Sequence, residues 1–254
     1  MGYPKDLLAS RSIIKHGQFA LIAPEGLVNN VIPGFENCLI SILGSPKLGA
    51  NFVDYIVTMK EGGKNLTGFG GQADIQTFVY VIEGKVKAAA GKEDFTLEES
   101  GYLYCPPGVK MYLENLHDSD SKLFLYKRKY RPLDGSKPWV VSDHANNIAF
   151  RQYDDMHNVG MKDLLPTELT FDMNFHILSF DPAACHPFIE THVQEHGAYL
   201  LSGEGMYNLD NNWIPVKKGD YIFMGAYVQQ AAYAVGRENL TYVYSKDCNR
   251  DEEL

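Results

Sequence analysis

The sequence predicts an all-β protein built from two tandem barrels, each a double-stranded β-helix, or jelly roll. Short runs rich in Val, Ile, Tyr and Phe alternate with clusters of Gly, Pro, Asn and Asp, a pattern typical of many short antiparallel strands. The chain also matches itself at a constant shift of 119 residues, which places Tyr80 on Tyr199 and Lys127 on Lys246. Two repeated all-β units of roughly 100 residues favour paired double-sheet barrels, for which the jelly roll is the usual solution.

The repeat divides the chain into four predicted segments. The runs that open the two copies, residues 52–59 and 171–178, are strand-like, whereas the segments that precede the copies are rich in Pro, Gly and Asn. We therefore expect an N-terminal wrapping segment at 1–45, a first barrel at 46–130, a linker at 131–165 and a second barrel at 166–254.

Composition and charge limit the classes of partner. The 254 residues carry a formal net charge of -9, and the 23 Lys and Arg residues form no long cluster that would attract nucleic acid. No run approaches the roughly 20 apolar residues that span a bilayer. The four cysteines are far apart and form no C-x-x-C pair, which is typical of reduced thiols. We expect a cytoplasmic protein with neither nucleic acid nor a membrane as partner.

Four residues in the second copy form a candidate metal site. Glu190, His192 and His196 stand at even spacing, so on a β-strand their side chains project to one face, and Gln230 supplies a fourth ligand. One carboxylate, two imidazoles and one amide oxygen suit a divalent cation such as Mn²⁺ or Fe²⁺ and lack the thiolates of a closed zinc site. Glu195 has odd phase and is expected to point away from the metal, into the packing between sheets or towards a partner of the ligands.

The same string also matches a zinc-protease motif. From His192 to His196 the chain reads H-x-x-E-H, which requires a helix so that the two imidazoles lie one turn apart. Gly197 follows the motif at once, Pro187 precedes it, and β-branched and aromatic residues surround it. A helix is disfavoured by that context, and with it the protease interpretation.

The repeat indicates that only the second barrel carries the metal site. Shifted back by 119 residues, the four candidate ligands fall on Gly71, Ala73, Thr77 and Met111. None of these side chains holds a divalent cation at ordinary affinity. The first barrel is therefore predicted to be a structural partner without metal.

The repeat resembles a bicupin, a chain of two cupin barrels. The second cupin motif reads Pro-x-Gly, two residues, His, three residues, Asn. The first copy keeps this skeleton at 106–108 and Asn115 but has Met111 where the His belongs, and the second copy has Gln230 at that position.

More narrowly, the chain resembles the (S)-ureidoglycine aminohydrolase family, manganese bicupins of allantoin and purine catabolism. The matching residues are the string at 190–197, Gln230 and the ending at 244–250. The Gln ligand is the most specific of these, since most cupins use a third His there. The resemblance covers nearly the full length of the chain.

The resemblance implies an activity and a set of site residues. The activity is the hydrolysis of (S)-ureidoglycine to (S)-ureidoglycolate and ammonia by a homo-oligomeric enzyme with a small-molecule substrate. The implied Mn²⁺ ligands are Glu190, His192, His196 and Gln230. The implied substrate-binding residues are Glu190, Gln230, Tyr242, Lys246 and Tyr207, of which Glu190 and Lys246 are also catalytic.

Other interpretations stay open at this point. Other bicupins are Fe-dependent dioxygenases or decarboxylases of small organic acids, and a non-enzymatic small-molecule-binding barrel is a further class. Lys246 could be a solvated lysine at a strand end, and Tyr242 a core aromatic residue. The remaining histidines have no partner at ligand spacing and are expected to be structural or surface residues: His16, His117, His144, His157, His176 and His186.

Overall fold

Almost all regular structure in this chain is β-strand, as a computed structural model that describes residues 10–251 shows. The strands of the first half are β1 Ile13–Lys15, β2 Phe19–Ile22, β3 Phe35–Ile42, β4 Phe52–Asn65, β5 Phe69–Gly70, β6 Ile75–Glu83, β7 Lys85–Ala90, β8 Glu93–Glu98, β9 Gly101–Cys105, β10 Lys110–Asn115 and β11 Ser121–Lys129. The strands of the second half are β12 Val141–His144, β13 Arg151–Gln152, β14 Val159–Asp163, β15 Asn174–Phe180, β16 His196–Ser202, β17 Glu204–Leu209, β18 Asn212–Lys217, β19 Tyr221–Met224, β20 Gln230–Val235 and β21 Leu240–Lys246. Short 3-10 turns lie at Pro24–Gly26 and Ala145–Asn147. Within the described residues, no helix is long and apolar enough to cross a membrane.

The internal repeat is visible strand by strand. Strands β7 and β8 of the first copy fall on β17 and β18 of the second copy residue for residue at the shift of 119. Gly84 and Gly203 occupy the same turn in the two copies, with φ of 90° and 71°. A side chain at either position would also overlap the neighbouring connection, so both turns require glycine.

The strands form two barrels. The first barrel is one ten-stranded sheet in the order β12-β9-β6-β11-β4-β10-β7-β8, with β3 added to β4 and β5 added to β10. The second barrel combines an eight-stranded sheet, β1-β2-β19-β16-β21-β15-β14-β13, with a three-stranded sheet, β18-β17-β20. All pairings between these strands are antiparallel, and the prediction of an all-β double barrel is confirmed.

The segments outside the repeat complete sheets of both barrels. From the predicted wrapping segment, β2 pairs with β19 of the second barrel, whereas β3 pairs with β4 of the first. From the predicted linker, β12 pairs with β9 of the first barrel and β14 with β15 of the second. The boundaries at residues 45, 130 and 165 stay a prediction, and residues 1–9 and 252–254 of the outer segments lie outside the described residues.

An aromatic core joins the two barrels. Phe175 of the second barrel stacks on Phe78 of the first with ring centroids 3.8 Å apart, and its edge meets Tyr126 at 5.0 Å. Buried polar contacts accompany this packing, because Arg128 Nη1 donates to Asp172 Oδ2 at 3.0 Å. Since alternate residues of a strand face opposite sides, the packing of Phe175 directs its neighbours on β15 into the interior of the second barrel.

Candidate metal and substrate site

A cavity of about 220 Å³ lies inside the second barrel. Its walls are formed by Tyr153, Met161, His176, Glu190, His192, Gln194, His196, Tyr207, Met224, Gln230, Tyr242, Tyr244 and Lys246. All seven site residues expected from the sequence are therefore brought to one cavity. Its volume suits a small acid rather than a polymer.

The segment that carries three of these residues is a loop for most of its length, so the expectation of a continuous strand from 190 to 196 is wrong. Glu190 forms one isolated bridge with Gln230, in which each backbone N–H donates to the other carbonyl at 3.0 Å. His192 lies in the loop, and only His196 belongs to a strand, as the first residue of β16. Pro187 in the same segment has no N–H to donate to a ladder, which disfavours strand pairing there.

The protease interpretation is wrong for the same reason, since residues 190–196 contain no helical turn. Glu195, the acid of that motif, instead points out of the cavity as expected. Its carboxylate accepts hydrogen bonds from the backbone N–H and the side-chain amide of Asn51, at 2.8 and 3.0 Å. Glu195 therefore connects the start of β16 to the first barrel.

The two imidazoles are held in the same tautomer. His196 Nδ1 donates to the Ser245 carbonyl at 2.7 Å, and His192 Nδ1 donates to the Gln194 carbonyl at 3.0 Å. Each ring then carries its free electron pair on Nε2, and the two Nε2 atoms face each other at 3.3 Å. Burial lowers the pKa of His196 to about 3 and also lowers that of His192, so both rings are neutral at neutral pH.

Gln230 completes this group. Its amide nitrogen lies 2.6 Å from His192 Nε2, and a half-turn of the amide would present Oε1 at the same place. Two electron pairs 3.3 Å apart, with an amide beside them, repel one another unless a cation or proton lies between them. The donor chemistry of these three residues therefore fits a divalent cation.

Glu190 lines the same cavity but stands apart from the imidazoles. Its Oε1 lies 3.9 Å from His186 Nε2, and within residues 10–251 no three His, Cys, Asp or Glu side chains come together as metal ligands. Burial, together with the nearby Asp154 carboxylate, raises the pKa of Glu190. The carboxylate is thus the one expected ligand that would have to turn towards the imidazoles in order to join them.

Tyrosines and a lysine form the other side of the cavity. Tyr242, Tyr244 and Lys246 alternate along β21 and so share its inner face. Tyr207 contacts Tyr242 with ring centroids 6.0 Å apart, and burial raises the pKa of both phenols, which stay protonated. Lys246 is half-buried at the end of the strand and lines the cavity instead of extending into solvent.

The chain is similar to known proteins over its whole length, although no family model matches it. It is 61% identical over 254 residues to the (S)-ureidoglycine aminohydrolase of Escherichia coli (strain K12), covering 100% of this chain and 97% of that protein. The chain belongs to the (S)-ureidoglycine aminohydrolase family. Its structure is similar to a crystal structure of protein Ylba from E. coli, with a TM-score of 0.89, 59% identity and full coverage of both chains.

The fold of this family member extends to more distant proteins. A variant of Bacillus subtilis oxalate decarboxylase superposes with a TM-score of 0.67 at 11% identity, over 95% of this chain and 79% of that one. At such low identity the likeness concerns the fold alone. The bicupin architecture expected from the sequence is confirmed.

Six residues of the cavity in this family member were not predicted as site residues: Tyr153, Met161, His176, Gln194, Met224 and Tyr244. The expectation that His176 is only structural or at the surface is too narrow, because its ring lines the cavity and stacks on Tyr244. The pairing of β15 with β21 places these two rings side by side. Tyr153 comes from the predicted linker, where no repeat or motif marks it.

Proposed function

We propose that this protein hydrolyses (S)-ureidoglycine to (S)-ureidoglycolate and ammonia in allantoin degradation, using the cavity of the second barrel. The observation that carries the proposal is the 61% identity to the E. coli (S)-ureidoglycine aminohydrolase across the whole of this chain. The cavity supports it, because its 220 Å³ match a small acid and its polar side chains match a substrate with a carboxylate and a ureido group.

The four predicted ligands would hold the metal of such an enzyme. His192, His196 and Gln230 already face one another, and Glu190 lies in the same cavity wall. The metal is Mn²⁺ in our proposal, on the family resemblance of the string at 190–197. When bound, a divalent cation there would supply Lewis acidity to the substrate.

Three further side chains of the cavity would bind and orient the substrate. Lys246 carries the positive charge that orients the substrate carboxylate, and the protonated hydroxyls of Tyr242 and Tyr207 donate hydrogen bonds to substrate oxygen atoms. These groups, together with the enclosing barrel, present one face of the α-carbon to water, which sets the configuration of the product.

Glu190 is the proposed proton carrier. In the reaction a C–O bond forms from water, the C–N bond to the α-amine breaks, and one proton passes from the water to the departing nitrogen. Glu190 is proposed for this transfer because its carboxylate lies in the wall of the same cavity as the other candidate ligands. In this proposal Glu190 is both a metal ligand and a catalytic residue.

Incubation with freshly generated ureidoglycine tests the function. Protein loaded with Mn²⁺ is expected to accelerate ammonia release, which an ammonia assay follows. Chiral chromatography is expected to show the (S) enantiomer of ureidoglycolate and no (R) enantiomer. Unchanged ammonia release, or a racemic product, would reject the assignment. Oxygen consumption after loading with Fe²⁺ would favour a dioxygenase, CO₂ release a decarboxylase, and ligand binding without turnover a non-enzymatic binding protein.

We also propose that the protein is a cytoplasmic homo-oligomer. The support is that β-sheets of this kind associate through exposed edges and faces. The outer face of the three-stranded sheet exposes the paired rings of Trp213 and Tyr233, 5.6 Å apart. Light scattering coupled to size-exclusion chromatography is expected to give a mass that is a multiple of 28.5 kDa, and a monomer would contradict the proposal.

A further inference from the structure

A histidine and an aspartate form a pair in the cavity wall, outside the predicted set of site residues. Asp163 on β14 stands directly opposite His176 on β15, and His176 Nδ1 lies 3.1 Å from Asp163 Oδ1. Arg151 holds the same carboxylate with Nε 2.9 Å from Oδ2 and Nη2 3.4 Å from Oδ1. Arg151 thus donates hydrogen bonds to the Asp163 carboxylate, and this carboxylate lies against the His176 imidazole.

This arrangement favours the form of His176 that carries its proton on Nδ1. His176 and Arg151 lower the pKa of Asp163, so the carboxylate is ionised, and its position 3.1 Å from Nδ1 favours a proton on that nitrogen over an electron pair facing the negative charge. Burial lowers the pKa of His176, against the opposing effect of Asp163, so the imidazole is neutral at neutral pH. Nε2 is then a hydrogen-bond acceptor with no proton of its own.

The acceptor nitrogen is buried without a partner. The His176 side chain is 8% exposed, and its ring stacks on Tyr244 with centroids 5.2 Å apart. Among residues 10–251 neither ring nitrogen makes a hydrogen bond of good geometry; Nδ1 has the 3.1 Å contact with Asp163, and Nε2 has no polar partner. A buried acceptor left unpaired is costly, so such a group in a ligand cavity is suited to an incoming donor. Oxygen atoms of a carboxylate or carbonyl would be repelled by its electron pair, whereas an N–H would be attracted.

The proposed substrate supplies such a donor in its ureido group. We propose that His176 Nε2 accepts a hydrogen bond from a ureido N–H of the substrate, with Asp163 and Arg151 positioning the ring. His176 is then a specificity-determining residue that separates ureido acids from acids without that group. This inference rests on the function proposed above, which supplies the identity of the substrate. The substrate carboxylate is left to Lys246, whose ammonium group attracts its negative charge.

Two ligands and a matched set of variants test the inference. The ligands are (S)-ureidoglycolate, which has the ureido group, and glycolate, which lacks it; their binding to Mn²⁺-loaded protein is measured by calorimetry. In His176→Phe the ring still stacks on Tyr244 but offers no acceptor. We expect its Kd for (S)-ureidoglycolate, and its KM for ureidoglycine, to rise by roughly 10-fold or more, while its Kd for glycolate changes less than about 2-fold.

Two conservative variants distinguish a role of His176 as a hydrogen-bond acceptor from a purely structural role of its ring. In His176→Gln a carbonyl oxygen reaches close to the place of Nε2, whereas in His176→Asn the amide stays near Nδ1. We expect Gln to restore (S)-ureidoglycolate binding to within about 3-fold of wild type and Asn to restore little of it. This pair also keeps the test decisive if His176→Phe does not fold, which a thermal melt of each variant establishes.

Three outcomes would overturn the inference. An equal rise in the Kd values for glycolate and (S)-ureidoglycolate would show that the His176 ring only positions Lys246 or the proposed metal ligands. Unchanged binding of both would show that His176 contacts neither. Equal behaviour of Gln and Asn would show that the place of the acceptor is irrelevant. Failure of wild-type protein to release ammonia from ureidoglycine rejects the proposed function instead, and it leaves the comparison of the two ligands to decide the role of His176.

Discussion

The carboxylate of Glu195 accepts two hydrogen bonds from Asn51, at 2.8 Å from the backbone N–H and 3.0 Å from the side-chain amide. Asn51 immediately precedes β4 of the first barrel, and Glu195 immediately precedes the candidate metal ligand His196. The backbone N–H of Glu195 also donates to Asp247 Oδ1 at 2.8 Å, next to Lys246. The first barrel thus holds the beginning of β16 and the end of β21, the two places that carry these cavity residues.

Glu195→Ala is expected to destabilise the protein. The substitution removes the acceptor of two part-buried hydrogen bonds from Asn51, each of which contributes about 1 kcal/mol. Urea denaturation should show a lower midpoint. Glu195→Gln keeps one oxygen acceptor and should lose less stability, and an unchanged midpoint for Glu195→Ala would contradict the structural role.

His192→Ala is expected to lose metal and activity together. The variant removes the nitrogen that lies closest to both His196 Nε2 and the Gln230 amide. Metal content of purified protein, measured by mass spectrometry, should fall with the rate of ammonia release. Full metal content in the variant would remove His192 from the ligand set.

Lys246→Ala is expected to keep the metal and weaken substrate binding. Its positive charge is proposed to orient the substrate carboxylate, so KM should rise by about 10-fold or more while metal content is unchanged. Lys127→Ala is the matched control, because Lys127 holds the same repeat position in the first barrel, 5.7 Å above the Phe69 ring. If both variants raise KM equally, the role of Lys246 is not local to the cavity.

The internal repeat made much of the fold predictable from the sequence. The turns at Gly84 and Gly203 need positive φ, and residues of this kind recur at a fixed shift wherever a barrel is repeated. The spacing of Glu190, His192 and His196 located the cavity, but for a partly wrong reason. They reach one cavity through a loop that a single bridge ties to Gln230, rather than through the alternation of a strand, and Glu190 still stands apart from the two imidazoles.

Residues brought in by long-range pairing were not predictable in this way. His176 reaches the cavity because β15 pairs with β21, and no local pattern distinguishes it from a core histidine. Tyr153 comes from a segment outside the repeat, where neither a motif nor a register assigns it a place. The sequence therefore located the candidate ligands through their chemistry, whereas the other residues of the cavity wall are brought there by the order of the strands.

Asp54→Asn is expected to change how stability depends on pH. Asp54 is buried between the barrels, where the Tyr221 hydroxyl donates to its Oδ2 at 2.6 Å, and burial raises its pKa from 3.8 to about 8. Between those values the folded protein keeps a proton that the unfolded chain loses, so the contribution of Asp54 to stability falls as pH rises through this range. The Asn variant is neutral throughout and lacks this dependence.

The difference in unfolding free energy between wild type and Asp54→Asn reports on Asp54 alone, because both proteins contain the same buried histidines. Urea denaturation at a series of pH values from about 4 to 8 should show the Asn variant gaining stability relative to wild type as pH rises. A constant difference would show that Asp54 is already ionised in the folded protein.

Gly197→Ala is expected to disturb both the contact between barrels and the proposed metal site. Gly197 packs directly on Asp54, and a methyl group there would overlap Asp54 Oδ2 and approach the Tyr221 hydroxyl. Overpacking of this kind costs about 1–3 kcal/mol, and because His196 is the preceding residue, metal content should fall as well. Adding Asp54→Ala removes the overlapping carboxylate, so the double variant should lose less stability than the sum of the single losses. Strictly additive losses in urea denaturation would show that the two positions do not press on each other.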